Sequence, residues 1–309
     1  MDHRRSSFCL VICLLLTGAV PAFAQIPSTV IPPSEPDSPQ VADSGVGYVD
    51  TALIGGRARL RYDAGFDNIK PSRAEFFWPV GQPLGPGPGP ETSVDYQDIS
   101  TYVEWAPLAR LSLFVDTAYR MVDPELQDDA SGLGDMQAGF KFALRQDACQ
   151  TTTFQLRGYF PTGDGSEGLG TDHLSIEPAL LHFRRFGPRL SLELELRDWI
   201  AVGGTSDFAG NVLRYGGGLN FQLKQSKTTP LFVVGELVGW TVLDGMTAFS
   251  PTPTERIVED AAGDTIVNVK FGLRQALTGG YDIYAGYGQA LTDEAWYDHI
   301  YRIELRRTF

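Results

Sequence analysis

Charged residues recur at every second position in several stretches of this chain. Arg57, Arg59 and Arg61 do so in the first quarter, and Arg302 and Glu304 do so near the end. Residues two apart on an extended strand lie on the same face of a sheet. Opposed charges on such faces can form a ladder of ion pairs that braces a narrow interior. A row of arginines can instead line a pore and guide anions or carboxylate-bearing solutes.

The candidate functional residues are the charged side chains that share the polar face of these stretches. They are Arg57, Arg59, Arg61, Asp116, Arg120, Lys141, Arg157, Glu193, Glu195, Arg197, Arg302 and Glu304. The spacing alone leaves both interpretations open, the bracing ladder and the pore lining.

Catalytic chemistry has little support in the sequence. His173 and Ser175 are two residues apart and could pair on one strand face, but no third group is visible to orient them. Cys149 is the only cysteine outside the first 24 residues, which excludes an internal disulfide and a cysteine-based zinc site in a chain that has lost them. We predict no catalytic residue, no cofactor and no metal site.

The composition restricts the class of protein. The 309 residues include 18 Phe, 12 Tyr and 5 Trp, more aromatic residues than a disordered chain would carry. The net charge of −13 argues against a nucleic-acid partner. One apolar run, near the N-terminus, approaches the length of a membrane-spanning helix, so a helical transporter is excluded.

The N-terminal part of the chain has the pattern of an export signal. Arg4 and Arg5 precede an apolar stretch at residues 9–20, and Ala22-Phe23-Ala24 forms a small-x-small cleavage site. We therefore assign residues 1–24 to a cleaved signal peptide. Residues 25–48 are proline-rich and lack an apolar period, which predicts a flexible periplasmic leader. Residues 49–309 form the predicted barrel domain.

The strongest pattern after the leader is a period of two. Leu190, Leu192, Leu194 and Leu196 alternate with polar residues, which predicts strands with one apolar and one polar face. A soluble sandwich would bury the apolar face, whereas a membrane barrel would turn it to lipid. Runs of about ten to thirteen residues, joined by alternating long and short connections, favour the barrel.

The sequence therefore predicts an all-β, antiparallel, up-and-down transmembrane barrel of about twelve strands, with ten to fourteen as the range. The predicted strand centres are Arg61, Ser100, Val115, Phe140, Leu156, Ile176, Leu194, Gly218, Val234, Val269, Ala285 and Ile303.

The C-terminus resembles the closing strand of outer-membrane barrels. Tyr301, Ile303, Leu305 and the terminal Phe309 share one face, and the last strand of a barrel must pair with the first so that no edge remains in lipid. This barrel-closing signal predicts location in the outer membrane of a Gram-negative-type bacterium. The expected partners are outer-membrane lipid and the barrel-assembly machinery. An even strand count places both mature termini in the periplasm.

Short motifs give a family resemblance over roughly residues 133–309. Gly132-Leu133-Gly134-Asp135 begins one strand, Tyr159-Phe160-Pro161-Thr162-Gly163-Asp164 ends another, and Leu169-Gly170-Thr171 follows. In this order they resemble the outer-membrane family named after the phenol-degradation meta-pathway. The resemblance implies a barrel related to channels for hydrophobic compounds, with no established substrate and no catalytic residues. Asp135 is expected at the outer rim, where it could bond loop amides or contact a substrate.

Three functions remain open from the sequence. The first is passive passage of small molecules, including hydrophobic or aromatic ones, through a channel that the leader or the first long loop could obstruct. The second is a plugged structural or surface-interaction barrel without transport. The third is a barrel enzyme that acts on lipid through Ser175.

Overall fold

The computed structural model describes residues 44–68, 87–88, 91–205, 208–224, 226, 229–252, 255–292 and 297–309. The predicted signal peptide and residues 25–43 of the predicted leader lie outside the described residues.

The described chain is built from fifteen strands. Their bounds are β1 Arg57–Asn68, β2 Val94–Leu108, β3 Leu111–Pro124, β4 Ala130–Leu133, β5 Met136–Gln146, β6 Gln150–Phe160, β7 Ser175–Arg185, β8 Leu190–Ala201, β9 Val212–Lys224, β10 Leu231–Val242, β11 Met246–Thr252, β12 Glu255–Asp260, β13 Thr265–Ala276, β14 Tyr281–Ala290 and β15 His299–Thr308.

Antiparallel pairing closes these strands into a ring. Each ring strand pairs with its neighbours along the chain, and β1 pairs with β15, from Arg57 opposite Thr308 to Phe66 opposite His299. The short β4 and the longer β5 both pair with β3 and together form one ring position. The hairpin β11–β12 is a separate two-stranded sheet between β10 and β13. The result is a closed barrel of twelve ring positions, and each predicted strand centre lies in one of them, so the predicted fold is confirmed.

The two faces of the barrel follow the alternation in the sequence. Along β8, Leu194 and Leu196 are 42 % and 46 % exposed on the outside, whereas Glu193, Glu195 and Arg197 are buried inside. The closing residues Tyr301, Ile303, Leu305 and Phe309 are likewise exposed on the outer surface. An apolar belt around a polar interior is the arrangement of a barrel in lipid.

The connections differ in length between the two ends of the barrel. Turns of two to six residues join β2 to β3, β5 to β6, β7 to β8, β9 to β10 and β13 to β14 at the end where β1 begins and β15 finishes. The longer connections, such as residues 161–174 between β6 and β7, lie at the other end. We call these the short-turn end and the long-loop end. Among the described residues, no helix is long and apolar enough to cross a membrane.

Candidate functional site

All twelve candidate residues lie on the inner face of the barrel. Eleven of them form ion pairs there, and Glu193 accepts hydrogen bonds from Ser44 and Asn220. Arg61 lies 3.2 Å from Glu304, and Arg59 lies 3.1 Å from Asp116 and 3.7 Å from Glu304. Arg57 lies 3.2 Å from Glu104 in the neighbouring strand β2. The basic row of β1 is therefore paired with carboxylates on both sides. The role of these residues in lining a path for solutes stays a prediction.

Several charged residues of the inner face were not among the candidates. Glu104 is completely buried and also accepts a hydrogen bond from Lys141 at 3.1 Å. Other charged residues of the inner face that were not among the candidates are Asp63, Asp98, Glu177, Arg214, Glu236, Lys270, Arg274, Asp282 and Arg306. The alternation of β13, in which Lys270 and Arg274 share the face opposite Val269, Phe271 and Leu273, could have identified two of them. Glu236 stands in a strand that is apolar on both faces, so its partners could not be read from the pattern.

The barrel interior also contains a segment of the chain that precedes β1. We call residues 44–56 the plug segment, because they fold back into the lumen before β1 begins. Ser44 contacts Glu193 and Arg306 near the short-turn end, Asp50 reaches the middle of the barrel, and Leu53 returns to Arg57. Both ends of the segment are thus at the short-turn end. Residues 44–48, which the sequence analysis assigned to the flexible leader, are buried in the lumen instead. They are ordered there because the barrel wall supplies partners for their backbone.

One carboxylate of the barrel wall accepts hydrogen bonds from backbone amides at the centre of the plug segment. Glu236 in β10 accepts hydrogen bonds from the amides of Gly47, Tyr48 and Val49 at 2.8–2.9 Å. Glu236 is 2 % exposed. A carboxylate that accepts several backbone amides in a buried setting is well satisfied, and the amides could not be left unpaired there without cost.

Arginines of the barrel wall satisfy the carbonyl groups of the same segment. Arg274 donates to the carbonyl oxygens of Gly45 at 2.8 Å and Val46 at 2.9 Å. Arg214 donates to the carbonyl oxygen of Tyr48 at 2.8 Å, and Arg302 donates to that of Gly47. These partners are up to 255 residues apart in the chain. The plug segment therefore replaces missing strand pairing with bonds to charged side chains.

Tyr48 is the aromatic anchor of the plug segment. The Nζ of Lys270 lies 3.7 Å from its ring centroid, and the Cζ of Arg302 lies 3.8 Å from it. Tyr284 packs edge-on against the same ring, with centroids 6.5 Å apart. Each desolvated cation–π contact of this kind is worth on the order of 2 kcal/mol. Gly47 passes so close to Tyr284 that a Cβ would lie 2.3 Å from the tyrosine Cζ, so this approach requires glycine.

Asp50 places a carboxylate between two arginines at the inner end of the plug segment. Its Oδ2 accepts a hydrogen bond from Arg157 and lies 2.8 Å from Nη2 of Arg197. Burial by itself would raise the pKa of Asp50, but Arg197 and Arg157 outweigh burial and hold that pKa well below its usual range. Asp50 is therefore an ionised anchor at neutral pH.

A cavity of about 190 Å³ extends from the plug segment towards the long-loop end. Its lining combines charged residues with Tyr48, Tyr96, Tyr159, Trp199 and Trp240. On the other side of the plug segment, a space of about 30 Å³ lies between it and β1. The plug segment thus fills most of the lumen around it and leaves room on its long-loop side.

The loop of residues 161–174 forms part of the wall of this cavity. Asp135, immediately before β5, accepts hydrogen bonds from the amides of Gly163 at 3.1 Å and Thr171 at 2.8 Å. The expectation that Asp135 bonds loop amides near the long-loop end is confirmed. Leu169 of the same loop is 3 % exposed and belongs to an apolar cluster that includes residues of the plug segment.

Ser175, the residue on which a lipid-acting enzyme would depend, is fully buried on the inner face of β7. Nδ1 of His173 contacts the carbonyl oxygen of Thr171 at 2.8 Å. Because Ser175 lies on the inner face of β7, its side chain points away from the outer, apolar surface.

Comparison with known proteins identifies the fold. No protein-family profile matches the chain, and no curated protein sequence matches it. Among solved structures, the COG4313 outer membrane channel from Pseudomonas putida F1 is similar, with a TM-score of 0.56 and 14% identity, over 86% of this chain and 100% of that one. The NanC porin is similar with a TM-score of 0.50 and 10% identity, over 82% of this chain and 100% of that one. The fold is therefore that of outer-membrane β-barrels.

Proposed function

We propose that this protein is a passive outer-membrane channel for small solutes, closed by its plug segment in the conformation described. The observation that carries the proposal is that the polar lumen has two parts. One is a cavity of about 190 Å³, and the other is filled by the plug segment, which is not one of the strands of the wall. A segment that belongs to no strand can leave the lumen without breaking the ring of hydrogen bonds between strands. The fold shared with the channel from Pseudomonas putida F1 supports this assignment.

The proposal includes location and orientation. The apolar outer belt and the C-terminal closing signal support insertion into the outer membrane with the help of the barrel-assembly machinery. Short turns of outer-membrane barrels face the periplasm, and both ends of the plug segment and the C-terminus lie at the short-turn end. The plug segment would then close the periplasmic side, and the cavity would open towards the outside.

The solutes of this proposal are small molecules, including hydrophobic or aromatic ones. Trp199, Trp240 and Tyr159 in the cavity lining support an aromatic solute. The motif resemblance to the family named after the phenol-degradation meta-pathway points in the same direction.

A plugged barrel without transport is the second candidate function, and the plug segment itself is the observation that favours it. At least eight hydrogen bonds join its backbone to charged side chains on the inner face of the wall. If these bonds never open, the loops would be the working surface. The two functions differ in whether the plug segment has to move.

A reversible disulfide between the plug segment and β9 tests this difference. A Cβ on Gly218 would lie 3.5 Å from the Cβ of Val46, and disulfides have Cβ separations of about 3.5–4.5 Å. The variant is Val46→Cys with Gly218→Cys in a Cys149→Ser background, because Cys149 is an exposed free thiol. The Cys149→Ser protein alone is the matched control.

The measurement is bilayer conductance and liposome flux of the detergent-folded variant before and after reduction. The channel proposal expects no conductance while the disulfide is closed and openings after reduction, with openings in the control under both conditions. Absence of flux for every solute, in reduced variant and control alike, would overturn transport and leave the plugged barrel. Equal conductance in both redox states would show that the plug segment does not close the pore.

A further inference from the structure

The carboxylate of Asp50 is bound by the plug segment's two arginine partners in the way that a carboxylate ligand would be bound. Asp50 lies between Arg157 and Arg197, which come from different strands, β6 and β8. Guanidinium groups bind carboxylates through short, charge-assisted hydrogen bonds. The Asp50 side chain is 20% exposed, and it lines the 190 Å³ cavity together with both arginines. The site is therefore reached from the cavity side.

Asp50 completes the charge balance of the ion pairs that Arg157, Arg197 and Arg214 form. Arg197 lies 3.0 Å from Glu177, and Arg214 lies 2.8 Å from Glu195. Arg157 lies 3.9 Å from Glu177 and has Asp50 as its closer carboxylate partner. With the plug segment docked, three arginines face three carboxylates.

Removal of Asp50 would leave three arginines and two carboxylates. An uncompensated charge in a largely buried cluster is costly. One carboxylate from solution would restore the balance, whereas a neutral solute would not.

We propose that Arg157 and Arg197 form a binding site for the carboxylate of a small organic anion, and that Asp50 occupies this site when the plug segment is docked. The inference rests on the proposed channel function and names a solute class and a release mechanism for it. A solute carboxylate competes with Asp50 for the two arginines. Because the solute binds only the undocked state, it shifts the population away from the closed conformation.

The cavity limits the size of this anion. A cavity of about 150 Å³ holds one benzene molecule, so the 190 Å³ beside Asp50 has room for a single ring that carries a carboxylate. Trp199 and Tyr159 in the cavity lining provide apolar surface for such a ring. Benzoate is therefore a suitable probe, and benzamide is its neutral counterpart of the same shape.

The first experiment measures release of the plug segment without any need for transport. Val46 is 4% exposed, so a cysteine at this position in the Cys149→Ser background should react slowly with a water-soluble maleimide. We expect benzoate to raise the labelling rate by about 5-fold or more, with benzamide and sodium chloride at equal ionic strength without effect. The Asp50→Asn substitution in the same background should label rapidly even without benzoate.

A second measurement follows binding by the fluorescence of Trp199 and Trp240. Asp50→Asn should bind benzoate more tightly than the parent, because the internal competitor has lost its charge, and a further Arg157→Gln substitution should weaken that binding. Equal effects of benzoate and benzamide, or equal benzoate affinity with and without Asp50, would overturn the inference and leave the arginines as braces of the plug segment. If the reduced disulfide variant conducts and benzoate does nothing, only this inference fails. If benzoate releases the plug segment and no variant conducts, the channel function fails.

Discussion

The carboxylate of Asp135 accepts hydrogen bonds from both the backbone amide and the hydroxyl of Thr171, at 2.8 and 2.7 Å. This relationship gives a physical reason for the three short motifs that stand apart in the sequence. Asp135 ends the first motif, Gly163 lies in the second and donates to the same carboxylate, and Thr171 ends the third. A Cβ on Gly170 would lie 2.4 Å from Oδ1 of Asp135, so the close approach also requires a glycine. The motifs together fix one loop against the barrel wall.

Asp135→Ala should release the loop of residues 161–174. The substitution removes three hydrogen bonds to a charged acceptor, which together stabilise the loop by at least about 1–3 kcal/mol. Hydrogen–deuterium exchange of the loop should become faster while the strands keep their protection. Asp129→Ala, at an exposed aspartate between β3 and β4, is the control and should change nothing. Unchanged exchange in Asp135→Ala would show that other contacts hold the loop.

Glu236→Gln should weaken docking of the plug segment without changing the shape of the side chain. The amide group offers one acceptor oxygen where the carboxylate offers two, and its NH₂ would face a backbone N–H. We expect exchange of residues 44–56 to rise by about 5- to 150-fold, the equivalent of about 1–3 kcal/mol. Glu193→Gln is the matched control, because the Ser44 hydroxyl can still donate to the remaining oxygen. Similar effects of both substitutions would contradict the role given to Glu236.

Leu194→Arg should destabilise the barrel because it places a charge on the outer face near the middle of β8. The expected loss is about 2–4 kcal/mol in the free energy of unfolding at mid-depth in a bilayer. Leu190→Arg, at the first residue of the same strand, should cost about 0–1 kcal/mol. Urea unfolding in liposomes, followed by tryptophan fluorescence, gives both values. Equal tolerance at the two positions would argue against lipid contact at Leu194.

Docking of the plug segment through Asp50 should not change between neutral pH and mildly acidic pH. Arg197, Arg157, Lys141 and Arg59 act against burial and lower the pKa of Asp50. A carboxyl group with a lowered pKa stabilises the folded state fully above its unfolded pKa of about 3.9, and that contribution is lost as the pH falls through the lowered value. Asp50 should thus remain charged and docked between pH 8 and pH 5.

Bilayer conductance between pH 8 and pH 5 checks this expectation. The parent protein should show a constant closed fraction, and Asp50→Asn should show a smaller closed fraction that is also constant over this range. Opening of the parent on acidification to pH 5, absent in Asp50→Asn, would show that the pKa of Asp50 is not lowered.

The sequence by itself determined the barrel wall. Alternation along segments such as β8 fixes which side chains face outward, because successive residues of a strand must point to opposite faces. The same rule placed Arg59 and Glu304 on the inner face, and the terminal Phe309 indicated closure with β1. These properties are local, so each strand reports them independently of the others.

Only the tertiary structure decided what fills the wall. Residues 44–56 have no alternation of apolar and polar residues from which their location could be predicted. Glu236, which binds Gly47, is 189 residues away in the chain. The pairing of Asp50 with Arg157 and Arg197 likewise depends on the register of strands around the closed ring, since every inner-face arginine has the same local pattern. Closure of the barrel brings distant charged groups together in one interior, so the sequence of a single strand does not predict which of them form bonds.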